Sequence, residues 1–460
     1  SREMYDVTLR SQFADMRYRG SHFLTRFADR IAMAAAFRHL PLLRNESSKD
    51  EENYGKENYS FTLNQNDTRA VSQLLLPGFF ISQGSSVKIN IDQNQKMTAG
   101  FSAGVVGYLK NYATSIKMTG ESAERGIDLK FNSEKVRFAG LDLENTVLDL
   151  FAKDDRIEMK ASFSNNTKLR NSLRFSSSAE ISRNPAGKGP LFNITINPSE
   201  LYFNDSKWNF AKSSFAVSDS LFDIKSVRIY NNNQSLEATG RVSPDERDSL
   251  KVRLTNLDIS PLNYFNKKDF GIAGNFTGLA ILTRLYSDPR IIMNLRGSNV
   301  RANKTDVGEL ELFSEWDNRE ERFNILAENT ISGENPAKIS GTYTPRSNYL
   351  DLKAHLDKFA VSYFEPFLND IVNNSSGTIS GNLSLKGTTD KLVLSGEPGR
   401  LNDVGFTVLF TKVPYTLNGP YVIEDGELKV LNAILKDRTG NTGRVTGGLG
   451  FKYFKTITLN

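Results

Sequence analysis

The chain has 460 residues, 38% of them aliphatic or aromatic and 24% charged, a composition that folds but leaves only a thin core. Lys and Arg exceed Asp and Glu by five, with no basic block, so nucleic acid is not expected as a partner. The absence of cysteine excludes disulfides, thiolate metal sites and thiol catalysis.

Taken in chain order, residues 1–44 read as a strand followed by an amphipathic helix. Phe23, Phe27 and Ile31 recur at four-residue steps within residues 21–38, and Pro41 stops the helix. Arg26 and Arg30 flank that stripe as in helices lying on lipid, although packing against a β body is the plainer reading. Residues 45–60 are acidic and lack an apolar period, which predicts a flexible linker. Residues 67–75 suit one more short helix before Pro77. No run approaches the roughly 20 apolar residues of a membrane-spanning helix. Ser1 falls in mid-element and Thr456, Ile457, Thr458 and Leu459 alternate like an interrupted strand, so the sequence reads as part of a longer chain.

From Val87 onward the period is two, as in Ile127, Leu129, Phe131, then Ile157, Met159, Ala161, Phe163, then Phe192, Ile194, Ile196. Each is a strand with one apolar face. Clusters such as Asn231, Asn232, Asn233 and Asn373, Asn374, Ser375 mark tight reversals and hence antiparallel neighbours. Ordinary β-sandwiches share this alternation, but internal repetition favours a stacked architecture. Gly240, Pro244, Leu250, Val252, Leu254 and Leu257 recur as Gly341, Pro345, Leu350, Leu352, Ala354 and Phe359, and Gly274, Asn275, Phe276 echo Gly381, Asn382, Leu383. The offset is about 100 residues, a self-similarity typical of quasi-one-dimensional bodies.

The expected fold is therefore all-β, a long curved antiparallel sheet whose first part is residues 61–239 and whose repeated part is residues 240–460. Roughly 25 strands at about 4.8 Å would span on the order of 120 Å, and so large a sheet curls. Curling with the apolar side inward predicts a gutter lined by Leu250, Val252, Leu254, Leu350, Leu352, Ala354, Leu383, Leu385, Leu392, Leu394, Phe406, Val408, Leu428 and Val430. Lys130, Glu158, Lys160, Lys251, Arg253, Lys353 and Lys429 fall on the wet parity. Strand runs shorter than the about 9 to 11 residues of membrane barrels argue against a barrel.

Catalytic chemistry finds no foothold. His22, His39 and His355 form no metal-ligand spacing, and His355 alternates with Ala354 and Leu356 as a solvent-facing strand residue. There is no Gly-x-Ser-x-Gly elbow, and the glycines between Gly440 and Gly450 lack a phosphate-loop lysine. Asp154 with Asp155 and Asp245 with Asp248 lack the calcium-loop pattern. No enzyme activity, cofactor or metal is expected.

The last third carries a resemblance. Gly377, Thr378, Ile379, Ser380, Gly381, Asn382, then Leu394, Ser395, Gly396, then Val413, Pro414, Tyr415, and finally Lys436, Asp437, Gly440, Asn441, Gly443 resemble the C-terminal region of the TamB family of AsmA-like proteins. The Lys-Asp-x-x-Gly-Asn-x-Gly run is its most specific piece, and the likeness covers roughly residues 341–459. It implies a β-taco, a U-shaped sheet with an apolar interior in the Gram-negative periplasm, in a parent anchored in the inner membrane by an N-terminal helix. It also implies phospholipid acyl chains as cargo and an outer-membrane barrel of the TamA type as partner. A lipid-transfer conduit supporting outer-membrane biogenesis is the first expectation; a scaffold for outer-membrane protein or autotransporter assembly is the second.

Overall fold

In the computed structural model the described residues are 4–32, 34, 38–43, 58–67, 76–138, 141–165, 169–185, 187, 189–261, 272–302, 305–331, 334–365, 371–388, 391–452 and 456–459. Most of the expected acidic linker, and all but Asp67 of the helix expected over 67–75, lie outside them. Of the described residues 73% are in strands and 6% in helices, so the all-β class is established.

Two compact units divide the chain. The first comprises residues 1–232 with 237–241, and the second residues 233–236 with 242–460. The first unit contains β1 (Tyr5–Arg10), β2 (Ala14–Gly20), β3 (Tyr59–Gln65), β4 (Phe79–Ile81), β5 (Ser86–Ile91), β6 (Met97–Tyr108), β7 (Asn111–Ala123), β8 (Gly126–Phe138), β9 (Leu141–Lys153), β10 (Arg156–Asn165), β11 (Asn171–Arg183), β12 (Pro190–Ile196), β13 (Ser199–Phe203), β14 (Ser206–Phe210), β15 (Ser213–Val217) and β16 (Phe222–Asn231). β17 (Gln234–Val242) precedes β18 (Ser249–Asp258), β19 (Ile272–Thr283), β20 (Arg290–Ala302), β21 (Thr305–Asp317), β22 (Arg322–Ile331), β23 (Glu334–Thr344), β24 (Tyr349–Ala360), β25 (Val372–Asn373), β26 (Thr378–Thr388), β27 (Lys391–Val408), β28 (Val413–Glu424), β29 (Glu427–Asp437), β30 (Thr442–Lys452) and β31 (Thr456–Leu459). The strand pairings are antiparallel, and strands mostly pair with their sequence neighbours, as tight turns dictate.

Three expectations change. β3 starts at Tyr59, inside the stretch read as linker, because Tyr59, Phe61 and Leu63 complete the face begun by β2. The N-terminal helix starts later than expected: a 3-10 turn, Leu24–Arg26, entered from an extended Phe23 that supplies no side-chain cap, leads into α1 (Phe27–Ala32), and of residues 33–37 only Ala34, which is helical, is described. Many strands run 10 to 13 residues, as β8 and β9 do at 13 each, so short strands are no argument against a barrel. The alternation understated their length because Gly, Ser and Thr occupy apolar positions, as Gly120 and Ser122 do on β7.

Bulges recur in the second unit. Register shifts accompany positive φ at Asn256 (46°) on β18, Asn299 (51°) on β20, Lys358 (49°) on β24, Asp403 (44°) on β27 and Asn432 (52°) on β29. An extra residue bends its strand and raises local twist. The freed N–H of Asn256 donates to Thr277 Oγ1 at 2.8 Å, and that of Lys358 to Ser380 Oγ at 2.9 Å. This equivalence aligns Gly278 with Gly381, correcting the sequence echo that set Gly274 there. Asn and Asp tolerate the left-handed backbone better than Lys. Lys358→Gly should therefore raise stability by about 1 kcal/mol, and Ser380→Val should lower it by about 1–2 kcal/mol through the orphaned Lys358 N–H. Urea unfolding followed by circular dichroism should give opposite signs for the two.

Candidate functional site

Directly opposed residues of antiparallel strands project to the same face. In the second unit this traces unbroken rows. One runs Leu254, Gly278, Leu295, Leu312, Ala327, Ile339, Ala354, Leu383, Gly396, Ile423, Leu428, Leu449. Beside it Val252, Ala280 and Met293 lead through the buried Ser314, then Ile325 and Gly341, to Leu352, Leu385 and Leu394. Leu250 pairs with Leu282, and Leu350 lies between Tyr343 and Gly387, which pairs with Leu392. Phe406 meets Tyr415, Val408 meets Val413, and Val430 meets Tyr421. All the residues named from the sequence as groove lining thus share this face.

They are not equally open. Leu383 and Val430 are buried, at 7% and 9% exposure, in a cluster with Leu356, Ile379, Leu401, Val404, Tyr421 and Ile423. Phe359, Val361 and Phe364, at the end of β24 and in the 3-10 turn after it, pack on that cluster. Tyr421 is fully buried because Gly381 and Gly399 leave room for its ring; a Cβ at either would come within 2.6 Å of it. Burial pushes its hydroxyl up to about 12. Leu250, Val252, Leu254, Leu350, Leu352, Ala354, Leu385, Leu392, Leu394, Phe406, Val408 and Leu428 are half-buried, with Ala354, Leu394, Phe406 and Leu428 packed against that cluster.

The opposite side of these strands is largely polar, although Phe313, Leu326, Leu431 and Ile434 lie on it, 38 to 54% exposed. Lys353 lies between Ser340 and Ser384, and Lys429 pairs with Val422 and Gly448. Here a depression of about 760 Å³ takes in exposed Leu326 together with Glu328, Lys338, Lys353, His355, Asn382 and Glu397. Its groups largely satisfy one another: Lys338 with Glu328 at 3.3 Å, His355 Nδ1 with Asn382 Oδ1 at 2.8 Å, and Asn382 with Glu397 at 2.8 Å. His355 is exposed, on the wet side read for it.

The first unit has its own apolar face, which the sequence reading did not single out as a site. Val87, Phe101, Met118, Phe131, Leu148, Ala161 and Phe175 form one row across β5–β11. The alternation was legible, but interrupting Gly and Ser residues hid its continuity. One end of this face is covered by the chain itself. Phe27 of α1 packs on Tyr18, Phe61 and Tyr59 at ring distances of 5.3, 5.4 and 6.3 Å, while Phe23 stays exposed. Further on, Leu40 packs with Ala152 and Ile181, backed by Leu42 and Leu43. Ser122 Oγ donates to the carbonyl of Ala34 at 2.5 Å, Asp155 N to that of His39 at 2.9 Å, and Leu42 N to Asp155 Oδ1 at 3.0 Å.

His39 is 4% exposed, and its Nε2 has no partner among the described residues. Burial, then the charge of Arg38, lowers its pKa below 6.5; Lys153 acts the same way, and the Ala123 backbone and Asp154 oppose. His22 differs, with Nδ1 against Tyr59 Oη at 2.7 Å and Nε2 against Arg30 at 3.3 Å. No group of three or more His, Asp or Glu side chains gathers at metal-binding separation among the described residues, and no described helix is long and apolar enough to cross a membrane.

The fold and its faces define an all-β antiparallel protein with one apolar side in each unit. Comparison with protein-family models, curated proteins and solved structures finds no match.

A pH effect follows from His39. Well above 6.5 the ring is neutral whether docked or released, and docking is intact. As pH falls through 6.5, the released segment takes up a proton that the docked one disfavours, so docking weakens until the docked ring's lower pKa is passed. Hydrogen exchange at the Leu42 and Asp155 amides, corrected for intrinsic rate, should show less protection at about pH 5.5 than at about pH 7.5. His39→Gln should remove most of the difference.

Proposed function

We propose that the chain carries phospholipid acyl chains along its apolar faces, as a stretch of a conduit that crosses the Gram-negative periplasm and supports outer-membrane biogenesis. The observation behind this reading is the run of half-exposed apolar rows in the second unit, from Leu250 and Val252 to Leu352, Leu385 and Leu394. A surface of that kind calls for an apolar occupant. Acyl chains fit the demand: each CH₂ exposed to water costs about 0.8 kcal/mol, so a chain of about sixteen carbons needs an apolar path across an aqueous gap. A conduit requires no chemistry at any one position, only an unbroken wall. Convergent polar groups, which would select a headgroup, do not punctuate these rows, so cargo is chosen by its tails. In the first unit, Phe27 and Leu40 already occupy part of the corresponding face, which supports its capacity for apolar guests. The resemblance of residues 341–459 to the TamB family points the same way.

Charge on the wall tests the reading. Leu352 and Leu385 are direct register partners and both half-exposed. An Arg in hydrocarbon surroundings costs about 2.5–3.5 kcal/mol, so Leu352→Arg with Leu385→Arg should cut bound radiolabelled phospholipid by at least about tenfold while the β signal in circular dichroism persists. Lys353→Glu, on the opposite face, should bind as the unmodified chain does. Undiminished binding by the double variant, or loss on Lys353→Glu, contradicts the assignment.

A further inference from the structure

We infer that one rim of the first unit is a docking edge for an anionic lipid bilayer, formed by hairpin tips that carry Leu76, Phe80, Tyr108, Leu109, Phe138 and Leu169. β6 to β11 pair in sequence order, so the turns after β6, β8 and β10 fall along one rim and those after β7 and β9 along the other. β4 brings Phe80 to the first of these rims by pairing with the end of β6, where Phe79 meets Tyr108. The six side chains are 40 to 64% exposed although each is large and apolar. The other rim has the opposite character: its turns present Asp92 and Lys96, Glu124 and Arg125, and Asp154 and Asp155.

Backbone conformation argues that the apolar tips are selected. Leu109 sits at φ 55°, a left-handed position, with its N–H donating to the carbonyl of Gly78 at 2.8 Å. Other tips fill that conformation with Asp, Asn or Gly, as at Asp154, Asp155, Asn204, Asp205, Asp425 and Gly426, or with the polar Gln95, Arg284, Glu321 and Lys412; among the described non-glycine residues with positive φ, Leu109 is the only apolar one. A leucine there is strained and points apolar surface at water, a double cost that a membrane contact offsets.

Charge identifies the membrane. The described tip residues 76–80, 108–111, 138, 141, 165 and 169–171 contain no Asp or Glu, but include Lys110 and Arg170. Acids just behind them are engaged, Asp142 by Arg137 at 2.6 Å and Lys135 at 2.9 Å, and Asp205 by the Arg170 N–H at 2.8 Å. Apolar side chains to enter the interface and exposed cations to meet lipid phosphates, Lys110 and Arg170, the latter stacked on the Tyr202 ring at 3.5 Å, are the two halves of peripheral attachment.

The inference concerns the rim and not the cargo: a face that carries no lipid would leave it standing, and vesicle binding would not by itself establish a conduit. Cosedimentation with vesicles of phosphatidylethanolamine and phosphatidylglycerol, against vesicles of phosphatidylcholine, tests it. The chain should bind the anionic vesicles more tightly, and less so as salt rises. Leu109→Asp with Phe138→Asp should weaken binding at least about tenfold; Asp suits the left-handed turn, and circular dichroism verifies the fold. Lys110→Gln with Arg170→Gln should abolish the preference for anionic vesicles, and Arg125→Gln on the other rim should change nothing. Absence of vesicle binding, or apolar-tip variants that bind like the unmodified chain, would overturn the inference. So would a lipid-free dimer that those variants dissociate in the absence of vesicle binding, which would make a second copy the partner.

Discussion

Antiparallel register imposes the constraint on which the rest depends: residues opposed across a strand pair share a face, so the alternation of every strand must agree with both neighbours. A slip of one residue anywhere would turn the leucines of Tyr349–Ala360 outward and its lysines inward. The bulges solve the same problem from the other side. On β24 the apolar residues are Leu350, Leu352, Ala354 and Leu356 before Lys358, and Phe359 after it; on β29 they are Leu428 and Val430 before Asn432, and Ala433 and Leu435 after it. One inserted residue lets the chain bend and change parity while its apolar side chains keep to one face.

The polar face reinforces that choice of side. Arg296 and Glu311, Glu328 and Lys338, and Asp351 and Lys386 are register partners and also ion pairs. Exposed pairs of this kind contribute about 0–1 kcal/mol each, too little to account for the fold. Their larger effect is negative: turned inward, each would place two charges among leucines, which makes a flipped strand far more costly than the native pairing is favourable.

How much was legible in the sequence follows from these two facts. Period two was enough to place Leu250, Leu352, Leu385 and Leu428 on one side, because between bulges parity and face are the same thing. It located the class of fold and the facing of Lys353 and Lys429. It did not reveal that Leu383 and Val430 are closed over, since that burial comes from a cluster built by several strands together with Phe359, Val361 and Phe364 at and after the end of β24. Nor did it reveal where strands end, because Gly and Ser at apolar positions break the visible pattern without breaking the ladder. The N-terminal helix was expected from Ser21 because Phe23, Phe27 and Ile31 keep a helical spacing, yet Phe23 is extended and only Phe27 among them is buried. Spacing reports a face and is silent on what covers it.

The central claim is that acyl chains lie against the apolar rows of the second unit, and contact by a photoreactive side chain tests it most directly. Benzoylphenylalanine introduced singly at Leu352, Leu385 and Leu394, and at Lys353 and Lys386 on the opposite parity, would be irradiated in the presence of phospholipid carrying labelled tails. The account predicts labelled protein from the three apolar positions and none above background from the two lysine positions. Equal labelling at both sets, or labelling confined to the lysine side, would contradict it.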